Sequence, residues 1–367
     1  MSVNVYDANS ENINILLSLK FPYYNLSYDF KKSRIRDLYN NFKPIIHNYI
    51  PNFIKEKNKI EKFKDKYVFI EEDWDRNEEI NNITDYFTEY CRIECKFYNN
   101  ISPLEYWERN KRKIINDNVK TLNHIDINKI RNVIYNQTKN NAITNLDNIR
   151  MSRKNNIYDY NYIGLEKLRQ NVYEIPHCSN FRITLALTVL QMFKVKKWLD
   201  ISAGWGDRLI ASILYGVDLY YAVDPNKCLH GYYKNIINEL DVENKSKYVV
   251  LEDGFETAEI KENDFDIVFT SPPFFDKEIY STETKDSVIL YNNVELWFEN
   301  FLMFSLRKAY EHLIKGGHMV LYIDEGIKTN YVNKMVEQVN KFMHYEGKIY
   351  YYYNNKRKIR HFFVWRK

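Results

Sequence analysis

Two periodicities of apolar residues divide the chain near its middle. From Asn171 onward, short apolar runs of strand character alternate with stretches whose apolar residues recur at helical spacing. That alternation is the pattern of a mainly parallel α/β sheet with helices on its faces. The spacing predicts helices over Phe181–Phe193, Arg208–Tyr215, Leu229–Leu240, Val294–Leu313 and Tyr331–Phe342. Between them it predicts strands over Lys197–Ile201, Leu219–Val223, Tyr248–Leu251, Phe265–Phe269 and His318–Ile323. Lys315-Gly316-Gly317 reads as the stop signal of the long helix before it. Two last β-rich runs, Lys348–Tyr353 and His361–Trp365, read as an antiparallel hairpin.

The first 170 residues follow no such alternation. Tyr67–Ile70 predicts a short strand, followed by the acidic run 71–75, and Asn82–Tyr98 has helical apolar spacing. Ser102-Pro103-Leu104-Glu105 combines an N-cap serine, a proline at the first helical position and an early acid, so a helix starts there. The polar stretch Asn136–Asn156 reads as a connection. The expected organisation is a mainly helical (α or α+β) domain over residues 1–165 and a Rossmann-like α/β domain over 166–367.

Composition narrows this only slightly. The 367 residues are 45% apolar and 28% charged, ordinary for a globular protein, and the net charge of +4 permits a polyanionic partner without requiring one. Several basic clusters lie in the first half. Arg109-Asn110-Lys111-Arg112-Lys113 contains no acid, which makes Arg109, Lys111, Arg112 and Lys113 the candidate phosphate contacts. The opening residues are polar and no apolar run reaches a membrane-spanning length, so the expectation is a soluble, cytoplasmic protein with no membrane partner. Cys91, Cys95, Cys178 and Cys228 have no metal-ligand spacing, and reduced, buried thiols are expected.

Candidate chemistry sits in the second half. With only ten glycines in the chain, the run Asp200-Ile-Ser202-Ala203-Gly204-Trp205-Gly206 stands out, placing two glycines at the end of the first strand. Ligands of open α/β sheets bind there, and glycine lets the backbone approach them closely. The next strand ends in Asp224-Pro225-Asn226, where an acid can hold the two hydroxyls of a ribose. The third ends in Glu252-Asp253-Gly254-Phe255, another acid and an aromatic at the same edge. Phe181 precedes the first strand and is a candidate to pack against a bound cofactor. Asp207 and Arg208 are expected to pair and order the start of a helix. A dinucleotide fits poorly, because Leu209 stands where a third glycine would be and Asp200 would face a pyrophosphate. A positively charged nucleoside fits better.

The fourth strand runs into Thr270-Ser271-Pro272-Pro273-Phe274-Phe275. Two prolines remove two N–H donors and leave carbonyls free to point into a site. An exocyclic amino group is a poor nucleophile while its lone pair is delocalised into a ring. Ser271 Oγ and the Pro272 carbonyl are the candidate acceptors of its two hydrogens, and Phe274 the candidate stacking partner of a flipped base. Phe275 and Tyr280 are further candidate contacts to the target nucleotide.

Together these residues make 198–367 resemble the class I S-adenosylmethionine-dependent methyltransferases. Ser202–Arg208 combined with Thr270–Phe274 is similar to the (Asp/Asn/Ser)-Pro-Pro-(Tyr/Phe) methyltransferases of amino nitrogens in DNA, as carried by large DNA viruses and phages. The resemblance implies a seven-stranded sheet with an antiparallel C-terminal hairpin. It implies S-adenosylmethionine as cofactor, with the loop 200–206 on its methionine part, Asp224 on its ribose and Asp253 at its adenine amino group. The implied reaction is methylation of adenine N6 or cytosine N4, with DNA expected before RNA, and a viral source would place the protein in a viral factory or virion. RNA, a protein amide, or a catalytically lapsed binding subunit are the alternatives. Only 63 residues, 207–269, separate Gly206 from Thr270, so target recognition is expected in the N-terminal domain, which is also the candidate surface for a homodimer or protein partner.

Overall fold

In the computed structural model, the described residues are 180–280, 285–326, 329–353 and 358–367, with scattered positions before them. The chain groups into two compact units: residues 1–35 with 93–178, and residues 36–92 with 179–367. A division at 165/166 would place residues 36–92 differently.

The second unit is built on a nine-stranded sheet. Its strands are β1 (Asn52–Ile54), β2 (Phe69–Glu71), β3 (Lys197–Asp200), β4 (Leu219–Val223), β5 (Tyr248–Leu251), β6 (Phe265–Thr270), β7 (Leu313–Leu321), β8 (His344–Tyr353) and β9 (Lys358–Arg366). Their order across the sheet is β1-β2-β8-β9-β7-β6-β3-β4-β5. From β8 to β5 this is the expected seven-stranded sheet: β3, β4, β5, β6 and β7 are parallel to one another, and β9 is antiparallel to both β7 and β8. The fold is therefore a Rossmann-like α/β sheet closed on one side by an antiparallel C-terminal hairpin. The addition is β2, which pairs parallel with β8 through Tyr350↔Phe69 and Tyr351↔Ile70, and β1, antiparallel beyond it.

The central strands are apolar along almost their whole length because helices cover both faces. In β6, five of six residues are buried. Trp198 on β3 stacks on Phe269 with centroids 5.3 Å apart and donates its indole N–H to the Phe269 carbonyl at 2.8 Å. The carboxylate of Asp266 receives the N–H groups of Lys196 and Lys197 at 2.8 and 2.7 Å, which fixes where β3 begins beside β6. Trp198, Trp297 and Trp365 are all fully buried, and truncating any of them to alanine would cost roughly 3–5 kcal/mol.

Helices α1 (Ile183–Phe193), α2 (Asp207–Tyr215) and α3 (Lys227–Leu240) match the predicted ones to within a few residues. The long helix differs. It runs as Val294–Trp297, a π-helical turn Phe298–Met303 and Phe304–Glu311, and β7 begins at Leu313, two residues after the helix ends. Lys315-Gly316-Gly317 thus lies inside the strand, where the register against β6 jumps from Phe265↔Leu313 to Ile267↔His318. Gly316 takes φ +84° there, and the bulge is tied to the chain end by Gly316 N–H to the Lys367 carbonyl.

In the first unit, Ser102 caps its helix as predicted, its Oγ accepting from Glu105 N–H at 3.2 Å. The predicted helix 82–98 does not persist to its end, because Lys96 and Phe97 are extended. Cys95 and Cys178 are disulfide-bonded rather than reduced, with Cα atoms 6.2 Å apart across a sequence separation of 83. Folding brings them within bridging distance, which spacing along the chain does not reveal. Cys228 is bonded as well. No helix among the described residues is long and apolar enough to cross a membrane.

Candidate functional site

The chain runs β3, β4, β5 outward on one side and returns to β6 on the other side of β3. This reversal is the switch point at which open sheets bind ligands. The pairs Trp198↔Ile267 and Leu199↔Val268 bring the glycine loop after β3 beside the proline loop after β6. Ala203 N–H bonds to the Val223 carbonyl at 3.0 Å and Asp224 N–H to the Leu251 carbonyl at 3.0 Å, so the loops after β3, β4 and β5 form one continuous edge.

Within the glycine loop, Gly204 and Gly206 take φ +62° and +98°. A Cβ on Gly204 would meet nothing closer than 3.8 Å, which leaves the backbone open to a ligand, whereas one on Gly206 would lie 2.9 Å from Ile236 Cδ1. Gly204 is open for approach; Gly206 is small because α3 packs against it. Ser202 is half-buried and Ala203 buried. Trp205 is buried and meets Tyr280 edge to face at 5.6 Å, linking this loop to the segment that follows the proline loop.

The acids have distinct environments. Asp200 is wholly buried and engaged internally, accepting from Arg208 Nε at 2.7 Å and from the Tyr220 hydroxyl at 2.8 Å. Asp224 accepts from Gly204 N–H at 2.8 Å and Asn226 N–H at 3.0 Å, while burial pushes its pKa up to about 7. Asp253 is partly exposed and accepts from Gly254 N–H, Thr257 Oγ1 and Lys285 Nζ at 2.9, 3.1 and 2.9 Å. Partial burial raises its pKa, but these donors outweigh that and hold it below the usual carboxylate range.

Several candidates make contacts within the scaffold. Asn226 caps α3, its Oδ1 accepting from Cys228 N–H at 3.1 Å. Pro225 beside it is half-buried. At Gly254 the Glu256 carboxylate folds over the backbone, 2.8 Å from where a Cβ would stand. Phe255 lies in the core, with Lys308 Nζ 5.2 Å above its ring. Phe181 packs against Phe269, Tyr322 and Phe362, and the Arg208 guanidinium lies 5.1 Å from its ring centre. Asp207 does not pair with Arg208 as expected. It accepts from Phe181 N–H at 3.1 Å and from the Thr84 hydroxyl.

In the proline loop, Ser271 and Pro273 are half-buried and Pro272 and Phe274 buried. Neither Ser271 Oγ nor the Pro272 carbonyl accepts a hydrogen bond from a described residue. Phe274 does not present a free face: its ring meets Tyr322 at 5.6 Å and lies under Lys277 Nζ at 5.4 Å. Phe275 takes φ +52° and turns toward Trp297, 5.6 Å away. Tyr280 is half-buried with its hydroxyl turned inward to Glu278; burial, reinforced by that carboxylate, raises its pKa well above the ordinary value. Arg109 is exposed and pairs with Glu105 at 2.5 Å, Lys113 is exposed, and Lys111 and Arg112 lie outside the described residues. No metal-binding cluster occurs among the described residues.

Sequence reasoning missed Tyr220, Tyr233, Lys285, Asp324 and Arg360. Tyr233 donates its hydroxyl to the Gly204 carbonyl from α3, a contact with no local signal.

No family model matches the chain and no curated protein does. Solved structures resemble it in fold. TrmN from Thermus thermophilus is 14% identical over 51% of this chain and 49% of its own, with a TM-score of 0.38. The chain thus spans about half the length of that protein. An rRNA methylase from Streptococcus thermophilus is 14% identical over 47% of this chain and 86% of its own, with a TM-score of 0.32. The N-methyltransferase NodS from Bradyrhizobium japonicum, solved with S-adenosyl-L-homocysteine, is 10% identical over 50% of this chain and 85% of its own, with a TM-score of 0.34.

Proposed function

We propose that this chain transfers a methyl group from S-adenosylmethionine to an exocyclic amino nitrogen of a nucleic-acid base, adenine N6 or cytosine N4, in DNA before RNA. The observation that carries the reading is a pair of acceptors with no hydrogen-bond donor among the described residues, Ser271 Oγ and the Pro272 carbonyl, in the loop after β6, the strand paired with β3. The residues fit such a cofactor: Gly204 leaves open backbone, and the Asp253 carboxylate stands partly exposed at the same edge. When bound, the cofactor supplies an electrophilic sulfonium methyl. Asp224 would then hold the ribose hydroxyls and Asp253 the adenine amino group. Asp200, committed to Arg208 and Tyr220, anchors the loop that holds the methionine part. Ser271 Oγ and the Pro272 carbonyl draw the two amino hydrogens toward themselves and turn the nitrogen lone pair out of the ring. With its lone pair so turned, the nitrogen would be held ready for the methyl group that the cofactor supplies, one amino proton passing to solvent water. Rate enhancement comes mainly from this positioning.

Incubation with labelled S-adenosylmethionine and mixed DNA and RNA, followed by nucleoside mass spectrometry, tests the reading. A methylated adenine or cytosine from DNA is expected. Label in RNA alone would reassign the substrate, and label in neither would overturn the proposal.

A further inference from the structure

Immediately after the proline loop lies a charge cluster that the proposed chemistry does not use. Lys277 is nearly buried, with 11% of its side chain exposed, and its Nζ sits 2.7 Å from Asp324 Oδ2. Asp324 follows β7, the neighbour of β6 on the side away from the cofactor strands. Arg360, on β9, gives Nη1 to the same Asp324 oxygen at 3.0 Å and to the Tyr322 hydroxyl at 3.0 Å. Tyr322 in turn packs on Phe274 of the proline loop. A second contact joins the same two segments through backbone. A Cβ on Gly326 would lie 3.1 Å from the Phe274 carbonyl and 2.9 Å from Asp276 Oδ1, so the loop after β7 lies directly against the reacting loop.

We propose that Lys277 and Asp324, braced by Arg360, form a clamp that sets the position of the Ser271–Phe274 acceptors. Both are positioning residues: they act through the loop and need not touch the target base. An ion pair left half-buried costs desolvation that its Coulomb energy only partly repays, so it is a poor device for stability alone and a good one for fixing geometry. Partial burial raises the Asp324 pKa, and the Lys277 bond and charge, the Glu325 N–H and the Arg360 charge together more than reverse it, so the carboxylate stays ionised for both cations. The inference rests on the proposed methyl transfer for its catalytic consequence but not for its structural one.

The test uses the full chain with Asp324→Asn and Lys277→Met, read by hydrogen exchange, by calorimetric titration with S-adenosylmethionine, and by methyl transfer to DNA. In either variant, exchange in the segment 274–280, where Lys277 N–H bonds to the Phe274 carbonyl at 3.2 Å, is expected to speed up. Exchange in 204–215 and cofactor affinity are expected to stay unchanged, while kcat falls by roughly tenfold to a hundredfold, the cost of about an ångström of misplacement. The double variant is expected to fall no further than the worse single one. Unchanged exchange over 274–280, or equal acceleration across the whole unit, would overturn the clamp. A wild type that binds cofactor yet methylates no nucleic acid would count against the proposed function, and the exchange data would still decide the clamp.

Discussion

Arg208 Nε donates to Asp200 Oδ2 at 2.7 Å with 4% and 0% of the two side chains exposed, so the ion pair is shut away from water. Burial alone would lower the guanidinium's hold on its proton, and Asp200, with Tyr220 and Asp207, more than reverses that. Removing one partner leaves the other charge buried and uncompensated. Asp200→Ala is expected to cost about 3–5 kcal/mol in urea denaturation. Adding Arg208→Met should recover part of that loss, because the stranded charge goes with it.

Asp224 gives a pH dependence. Its pKa of about 7 in the folded chain lies above the ordinary value of 3.8, so the folded state keeps a proton that the unfolded state has lost. Its contribution is fully present below about pH 4 and declines as pH rises to about 7, by up to about 1.4 kcal/mol per pH unit. Compared with Asp224→Asn, wild-type unfolding free energy should therefore drop between pH 5 and pH 8. A difference that is flat, or that grows with pH, would count against a raised pKa at this carboxylate.

Gly206 and Gly216 both have positive φ, at 98° and 81°, but only Gly206 has a neighbour where a Cβ would go. Alanine at Gly216 is expected to cost about 1–2 kcal/mol, from backbone strain alone. Alanine at Gly206 should cost more, because Ile236 must also move. Thermal melts of the two variants side by side separate the terms.

Ser271→Ala removes a half-buried hydroxyl that bonds to no described residue, so melting temperature should hardly change. Under the proposed function, kcat should fall by roughly tenfold to a hundredfold, with calorimetric affinity for S-adenosylmethionine unaltered. Full methyl transfer by this variant would remove Ser271 from the mechanism.

The sheet was legible because its central strands are continuous apolar runs and its ligand edge is punctuated by glycine, proline and acids. What was not legible depends on distance along the chain or on direction around a helix. Asp207 and Arg208 are adjacent in sequence, but neighbouring residues of a helix point about 100° apart, so Arg208 turned to Asp200 instead. β1 is three residues, too short for any period to register, while β2 overlaps the predicted strand Tyr67–Ile70 but its pairing with β8, some 280 positions on, has no local signal. Phe274 read as a stacking face, yet its ring packs on Tyr322, 48 positions on and just past β7. The Cys95–Cys178 bridge belongs to the same group.

The pairing of Phe69–Ile70 with Tyr350–Tyr351 bears on how this protein tolerates being cut. β8 would otherwise end the sheet as a ten-residue strand with unsatisfied backbone groups beside buried tyrosines, the kind of border that recruits other chains. Two three-residue strands from early in the chain close it with a border too short to template further growth. A C-terminal fragment starting at residue 179 would expose the sticky border and is expected to self-associate. Insolubility of such a fragment would report the loss of this selvedge, and says nothing about whether the early residues select a target.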